Sequence, residues 1–422
     1  MKLTMEKILS EVGTLIVSFM DINDVINSLT YTSKFIDGIV EFSSKVLLRD
    51  FDYPWISAYH EKPNTEAQVK CSYKKILYLI TRKGVMIIGG NEDSRRCRFF
   101  STKTQRFSSM DYMGTKGDTM NSTAVWHRGR MFVFSCHTEA VTGSLEIYNP
   151  VLTAWSKSAS GLPMIIKSAA AASCQNHLYV LGGDHFCKPQ WKKSDRIFYL
   201  SNDTAGNEQH YHWEKVGVSL LRGRMFHAAA DYEGKIWIAG GLLEKRTGDI
   251  FNDLCTRSVE IFDPLSGTVV QGPEMLQTRF QSTLAVIGGS LWVIGGDVHQ
   301  TERTVGTVER FNGDLGCWEF VTVFPKRREG CAICAIDGII YVFGGYVGCH
   351  SFNDWDAYDV TTGRWLSEDD IETCNQNTLS TGVVAMHYAR KSNRLVFPIG
   401  ACPARNSMNM LNGATAVATC PS

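Results

Sequence analysis

Two short groups of histidines and cysteines have the residue types and spacing that metal or redox chemistry requires. His210-Tyr211-His212 would place two imidazoles on one side of a strand, because alternate strand residues share a face. Cys331 and Cys334 form a lone Cys-x-x-Cys pair, which on a strand directs the thiols to opposite faces, and the sequence has no second pair to complete a zinc site. We therefore interpret the histidines as surface residues and the cysteines as core residues.

Common catalytic motifs are missing from the sequence. It contains no Gly-rich phosphate loop, no serine nucleophile elbow and no His-Glu-x-x-His. Lysine plus arginine and aspartate plus glutamate each number 43, so the formal net charge is zero. Charge therefore gives no argument for a nucleic-acid or membrane-surface partner. We predict a protein that is not an enzyme and that binds no metal or cofactor.

Cysteine usage predicts the compartment. The chain has 13 cysteines, an odd number, scattered without the regular spacing of a disulfide framework. Free cysteines of this kind are typical of a reducing environment. We expect the protein in the cytoplasm, with the nucleus as an alternative.

One strand pattern recurs along most of the chain and must position any functional side chain. It is a run of β-branched and aromatic residues followed by two glycines, clearest at Lys235–Gly241. The first position of the pair, or of its weaker equivalent, falls at residues 89, 135, 182, 240, 295, 344 and 399. A period of about fifty residues indicates a repeat architecture of the propeller type.

A second pattern follows each glycine pair at a fixed offset. After a variable loop comes a strand that ends in an aromatic residue and a turn residue, and six residues later comes a further large apolar residue. The copies are Phe100-Ser101 with Phe107, Tyr148-Asn149 with Trp155, Phe262-Asp263 with Val269, Phe311-Asn312 with Trp318 and Tyr358-Asp359 with Trp365. Repeat three reaches Trp213 only after an insertion. With an apolar strand before each glycine strand, such as Leu77–Ile80 in repeat one, each repeat holds four short antiparallel strands.

These motifs together resemble kelch repeats over about five-sixths of the chain. The resemblance implies an all-β fold, a kelch β-propeller in which each four-stranded sheet is one blade. We assign the propeller to residues 73–422 and predict seven blades. Six blades with an accessory hairpin is the alternative, because Pro398 removes a ladder donor and Ala418 replaces the expected aromatic residue.

The first fifty residues read as a small all-α module. Apolar positions recur at helical spacing, and Asp21 is placed as an N-cap. The apolar stretch around Ile16–Met20 is too short for a membrane helix and has no signal-peptide cleavage site. Residues 51–72 read as a linker, in which Gln68–Cys71 could add a strand to the closure of the propeller.

The run Ile16–Phe35 resembles an F-box. The matching features are Phe19-Met20 before Asp21, Asp24-Val25, Leu29 and the step Ser33-Lys34-Phe35, although Thr32 and the missing Leu-Pro opening depart from the pattern. This resemblance implies docking on a Skp-type adaptor of a cullin–RING ubiquitin ligase, while the propeller binds a substrate protein. The implied adaptor-binding residues are Ile16, Phe19, Met20, Val25, Leu29 and Phe35. Three alternatives stay open: a helical cap or dimer contact at the N-terminus, a kelch scaffold without a ligase role, and a propeller enzyme.

One face of the propeller carries the longer loops, those after the second strand of each repeat and between repeats. Variable loops on a rigid scaffold are where recognition usually lies. We expect the substrate-binding surface there, among Arg95, Arg96, His137, His185, Lys188, Trp191, Lys192, Arg246, Asp249, His299, Arg303, Tyr346 and His350. Arg224, Arg279 and Arg328 recur just before the first strand of successive repeats, with Lys167 as the odd member, and we predict that they hold the turns between blades.

Overall fold

The computed structural model describes residues 84–88, 97–102, 105–110, 113, 123–135, 143–150, 152–158, 161–162, 166–187, 190–202, 211–243, 254–298, 303–304, 306–326, 332–344, 346–347, 350–351, 354–366 and 395–398. All regular structure in these ranges is β. Within them, no helix of membrane-spanning length and hydropathy occurs.

The first three repeats supply fourteen strands. Repeat one contains β1 Gly84–Ile88, β2 Cys97–Ser101 and β3 Arg106–Met110. Repeat two contains β4 Thr123–His127, β5 Arg130–Ser135, β6 Ser144–Asn149 and β7 Ala154–Lys157. Repeat three contains β8 Ile166–Lys167, β9 Ala170–Cys174, β10 His177–Leu181, β11 Asp184–Cys187, β12 Gln190–Lys193, β13 Arg196–Asn202 and β14 Tyr211–Ser219.

The later repeats supply the other twenty described strands. Repeat four contains β15 Arg224–Met225, β16 Ala228–Tyr232, β17 Lys235–Ala239, β18 Leu242–Leu243, β19 Leu254–Cys255, β20 Val259–Asp263 and β21 Thr268–Gly272. Repeat five contains β22 Thr283–Ile287, β23 Ser290–Ile294, β24 Asp297–Val298, β25 Arg303–Thr304, β26 Thr307–Asn312 and β27 Cys317–Val323. Repeat six contains β28 Ala332–Ile336, β29 Ile339–Phe343, β30 Tyr346–Val347, β31 His350–Ser351, β32 Trp355–Asp359 and β33 Arg364–Trp365, and β34 Leu395–Pro398 follows.

These strands form six antiparallel four-stranded sheets among the described residues. In repeats two to six the strands pair in chain order, and the glycine strand is the second of the four. A two-residue turn joins the first two strands in each of these repeats, and in repeat four Glu233 and Gly234 both have positive φ, at 55° and 74°. This conformation matches the twist of a tight hairpin. The predicted four-strand repeat is therefore confirmed in these five repeats.

The first sheet is completed from the far end of the chain. Its order is β3-β2-β1-β34, with Val85 opposite Pro398 and Ile88 opposite Leu395. The sequence assigns this edge of β1 to Leu77–Ile80, and that assignment is wrong, because β34 occupies the edge. The reason is that the apolar character of both segments suits an inner strand, and only the long-range pairing selects between them.

The sheets pack face to face around a ring of inner strands. Each inner strand neighbours the next in the series β34, β4, β9, β16, β22 and β28, and β28 neighbours β34 again. The ring of Phe100 in sheet one lies 5.1 Å from that of Phe343 in sheet six. The core consists of the apolar layers between adjacent sheets. This arrangement and the repeat pattern are consistent with a β-propeller.

The fixed-offset aromatic residues are cross-strand partners. Tyr148 pairs with Trp155 and Tyr358 with Trp365, each with ring centroids 5.2 Å apart. The Trp365 indole N–H also donates to Thr322 Oγ1 in the preceding sheet, at 3.3 Å. The offset recurs because the same turn length brings the two aromatic side chains into register in each repeat.

Residues 1–50 and 51–72 lie outside the described residues, as do all six predicted adaptor-binding positions. The helical module, the linker and their boundaries at residues 50 and 72 stay predictions.

Candidate functional site

Small hairpins extend the loop face in four successive repeats. The pairs β11–β12, β18–β19, β24–β25 and β30–β31 each lie between a glycine strand and the third strand of the same sheet. The linkers that lead into sheets three and four contribute β8 and β15, which pair with β11 and β18. The expected elaborated loops are therefore partly ordered as secondary sheets, and the linkers between repeats belong to the same face.

The predicted substrate-binding residues divide into two groups. Trp191, Arg303, Tyr346 and His350 lie on the backbone of these hairpins. Seven further residues predicted for the binding face lie outside the described residues: Arg95, Arg96, His137, Lys188, Arg246, Asp249 and His299. His185 and Lys192 lie opposite each other in the β11–β12 hairpin. The role of each residue in binding stays a prediction.

The glycine pair of repeat four allows neighbouring backbone segments to approach closely. Gly240 has a φ of +68°, and a Cβ added there would lie 2.3 Å from the carbonyl oxygen of Arg279 in the next repeat. Gly241 has a φ of +96°, and its added Cβ would lie 2.8 Å from Cβ of His227 in its own repeat. The Gly241 N–H donates to the same Arg279 oxygen at 2.8 Å. Glycine is therefore required where a blade contacts both its own first strand and the next blade.

A buried arginine fixes the base of the loop face in repeat four. Arg224 is 1% exposed; it forms an ion pair with Glu260 and donates from Nη1 to Gly240 O at 3.0 Å. Its Nη2 donates to Ser258 Oγ at 3.2 Å. The second oxygen of Glu260 accepts the backbone N–H of Leu221 at 2.7 Å. Burial lowers the pKa of Arg224, and the Glu260 charge opposes this effect. The pair holds the incoming linker against the second and third strands.

Repeat five contains the same arrangement. Arg279 is 0% exposed; it pairs with Glu309 and donates from Nη1 to Gly295 O at 2.7 Å and to Thr307 O at 3.1 Å. Glu309 in turn accepts the N–H of Leu276 at 2.8 Å. The predicted role of these arginines at the turns between repeats is confirmed for Arg224 and Arg279. Arg328 lies outside the described residues.

Repeat three departs from this arrangement in both partners. By strand register, Ile166 occupies the position of Arg224, and Phe198 occupies that of Glu260. Both side chains are buried. Lys167 is therefore not the equivalent of the arginines, because it lies one residue further along β8. An apolar pair replaces the ion pair in this repeat, as is possible where both charges are removed together.

The groups with metal-ligand spacing do not form a site in the described residues. His212 is exposed, and its Nε2 lies 2.9 Å from Glu214 Oε1 on the outer strand of repeat three. Cys334 is fully buried, and burial raises the pKa of its thiol well above the ordinary value. Among the described residues, no three His, Cys, Asp or Glu side chains are grouped to hold a metal ion. The core position predicted for Cys334 is confirmed, whereas His210 and Cys331 lie outside the described residues.

Two exposed leucines mark a part of the loop face that sequence reasoning missed. Leu221 and Leu276 are 51% and 49% exposed, and each lies in a linker between sheets. The backbone N–H of each leucine donates to the buried glutamate of the following repeat. Their shared spacing, three residues before Arg224 and Arg279, is visible in the sequence and could have identified them. The exposed leucines make the linkers, in addition to the hairpins, candidate contact surfaces.

A protein-family model matches about half of the chain. A model described as the KLHDC2/KLHL20/DRC7 Kelch-repeats domain matches residues 168–388. The chain belongs to the kelch-repeat family. The match covers repeats three to six, in which the hairpins and the buried arginine–glutamate pairs lie.

Several curated kelch proteins are similar to this chain. Kelch-like protein 25 of Xenopus tropicalis is 26% identical over 232 residues, which are 54% of this chain and 36% of that protein. Alpha-scruin of Limulus polyphemus is 25% identical over 49% of this chain and 22% of its own length. An F-box/kelch-repeat protein of Arabidopsis thaliana is 30% identical over 115 residues, which are 25% of this chain and 27% of that protein. The chain thus matches well under half the length of these relatives.

Proposed function

We propose that this kelch protein is the substrate-recognition subunit of a cullin–RING ubiquitin ligase of the SCF type. The F-box-like segment at residues 1–50 docks a Skp-type adaptor, and the loop face of the propeller binds a substrate protein. The observation that carries the proposal is the combination, in one chain, of the F-box-like run Ile16–Phe35 with kelch sheets. The similarity to an F-box/kelch-repeat protein of Arabidopsis thaliana supports the same combination.

The mechanism in this proposal is proximity. The chain carries out no bond chemistry, and tethering raises the local concentration of substrate lysines near the ligase. Kelch membership and the ordered hairpins of the loop face support a protein-interaction role. The protein is placed in the cytoplasm or nucleus in this proposal, because thirteen cysteines without the spacing of a disulfide framework are typical of a reducing compartment.

We also propose six blades for the propeller, in place of the seven predicted from the repeat count. The closed series of inner strands and the β1–β34 pairing support six. The pairing with β34 covers the edge of β1 that would otherwise be unpaired in the first sheet.

The direct test of the ligase role is co-purification of the full chain with a Skp-type adaptor. Val25→Asp with Leu29→Asp places charges on the apolar face of the F-box-like run and should abolish binding. Asn23→Asp with Ser28→Asp adds the same charge at polar positions of the run and should leave binding intact. Equal binding by both double variants would reject docking through the apolar face.

The second candidate function is a kelch interaction scaffold without a ligase role. It is favoured by the observation that the family model matches residues 168–388, which lie within the kelch repeats. A folded parent chain that binds no adaptor would leave this scaffold as the better account.

A further inference from the structure

The linker between sheets three and four lies against the end of the β11–β12 hairpin. The N–H of Leu220 donates to Asp195 O at 2.8 Å, and the N–H of Arg224 donates to Ser194 O at 3.2 Å. Gly223 approaches so closely that an added Cβ would lie 2.5 Å from Lys193 O. Residues 192–196 and 220–224 therefore form one continuous surface on the loop face.

This surface has an excess of positive charge. Arg224 is buried and paired with Glu260, so it adds no net charge to the surface. The other basic side chains, together with those of the adjoining three-stranded sheet, are Lys167, Lys192, Lys193, Arg196 and Arg222, and the acidic side chains among the same described residues are Asp184 and Asp195. Five cations and two anions leave an excess of three positive charges. Asp184 lies between Lys167 and Lys193 in cross-strand register. The excess is local, because the whole chain has a formal net charge of zero.

An apolar side chain lies within this basic surface. Leu221 is 51% exposed, and its backbone is held by the hydrogen bond from its N–H to the buried Glu260 carboxylate. The equivalent Leu276 in the next linker is followed by Gln277 rather than by an arginine. Of these two linkers, only the one between sheets three and four therefore combines a fixed, exposed leucine with clustered cations.

The β11–β12 hairpin contains a buried imidazole, that of His185. His185 is 9% exposed and lies between Ile166 and Lys192 in strand register. Burial lowers its pKa, and the nearby Arg196 adds to this effect. A neutral imidazole here anchors the hairpin without adding to the surface charge, so the positive excess comes from the lysines and arginines.

We propose that the basic patch formed by Lys192, Lys193, Arg196, Leu221 and Arg222 binds an acidic segment of a protein, with one apolar side chain of that segment seated on Leu221. The proposal deepens the proposed function, on which it rests for its biological use, by giving the chemical class of the substrate segment. A protein segment fits better than a nucleic acid, because it can seat an apolar side chain on Leu221, whereas a phosphate backbone has no favourable contact with an aliphatic side chain.

The test is a fluorescence-anisotropy titration of the full chain with a labelled short peptide in which glutamates flank one leucine. We expect saturable binding that weakens as salt is raised, because exposed charges are screened. Lys192→Glu with Arg222→Glu should weaken binding by about tenfold or more, since reversing two charges replaces attraction by repulsion. The matched control is Lys157→Glu with Lys215→Glu, the same charge change at exposed positions of the outer strands β7 and β14.

A second pair of variants tests the apolar contact. Leu221→Ser should weaken binding by about threefold, in keeping with partial burial of one leucine side chain. Leu315→Ser, at a 69% exposed position in the turn between β26 and β27, should leave binding unchanged. Both substitutions lie at exposed positions, so the fold should tolerate them.

Three results of the peptide titrations would overturn the proposal. They are no saturable binding of the acidic peptide by the parent, equal loss in the patch and control variants, and equal binding of a peptide with lysines in place of the glutamates. A single-stranded DNA oligonucleotide that binds through the same patch as tightly as the acidic peptide would also reject a protein ligand. No adaptor is present in this titration, so its failure is distinguishable from failure of the ligase role.

Discussion

Replacing Arg224 by isoleucine isolates the contribution of one buried ion pair to the propeller. The substitution removes the ion pair with Glu260 and the hydrogen bonds to Gly240 and Ser258. It leaves the buried carboxylate of Glu260 with its hydrogen bond from the Leu221 N–H but without a counter-charge. Breaking a buried pair by removing one partner costs about 3–5 kcal/mol. We expect Arg224→Ile to lower stability by about that amount.

Repeat three supplies the compensating change. It has isoleucine and phenylalanine at the two equivalent positions, Ile166 and Phe198. Arg224→Ile combined with Glu260→Phe removes both charges, and the released Leu221 N–H can bind water because Leu221 is 51% exposed. The double variant should therefore be more stable than Arg224→Ile alone, with a favourable coupling of about 2 kcal/mol or more.

Thermal unfolding followed by circular dichroism measures these differences. With an unfolding entropy of about 2.1 cal/mol/K per residue, a chain of 422 residues has a total of about 0.9 kcal/mol/K. A loss of about 3–5 kcal/mol then lowers Tm by about 3–6 °C. A Tm of Arg224→Ile within about 1 °C of the parent, or a double variant no more stable than Arg224→Ile, would refute the reasoning.

Three further predictions address the glycine pair, a partly buried carboxyl and the closure of the ring. Gly240→Ala should destabilise the fold by more than Gly288→Ala. Both glycines have positive φ, but only a Cβ added at Gly240 would lie against the next repeat. Equal changes in Tm would contradict this prediction. Burial raises the pKa of Asp231 to about 6, so the native state binds the proton more tightly and the parent loses stability as pH rises through its folded pKa. Asp231→Asn should therefore gain in Tm relative to the parent between pH 5 and pH 7, whereas a constant difference would exclude the effect. Ile87→Cys with Val396→Cys should form a disulfide detectable by peptide mass mapping, since the two residues are register partners, and its absence under oxidation would argue against the β1–β34 pairing.

The local features of the fold follow from the sequence because they repeat. The glycine pair marks the end of the second strand, and the offset from Tyr358 to Trp365 predicts a cross-strand pair because one turn length fixes the register. The recurrence of Arg224 and Arg279 likewise predicts a structural role. Each of these depends on neighbours within one or two repeats, where spacing along the chain determines spacing in the fold.

Long-range features had to come from the tertiary structure. The sequence assigns Leu77–Ile80 to the edge of β1 and treats the segment before residue 399 as the glycine strand of a seventh repeat, whereas Leu395–Pro398 pairs with β1 in the structure. Strand periodicity does not specify such a pairing. The loop-face patch is a similar case, because Lys192 and Arg222 share one surface only through the hydrogen bonds from the linker to residues 194 and 195.

The sequence by itself therefore determined the repeat unit, the all-β class and the positions of its recurring side chains, since these follow from local periodicity and turn chemistry. The tertiary structure decided which strand completes the first sheet, which glutamate each buried arginine meets and which charges gather beside Leu221. Those outcomes depend on burial and on contacts between segments far apart in the chain, which no local pattern specifies.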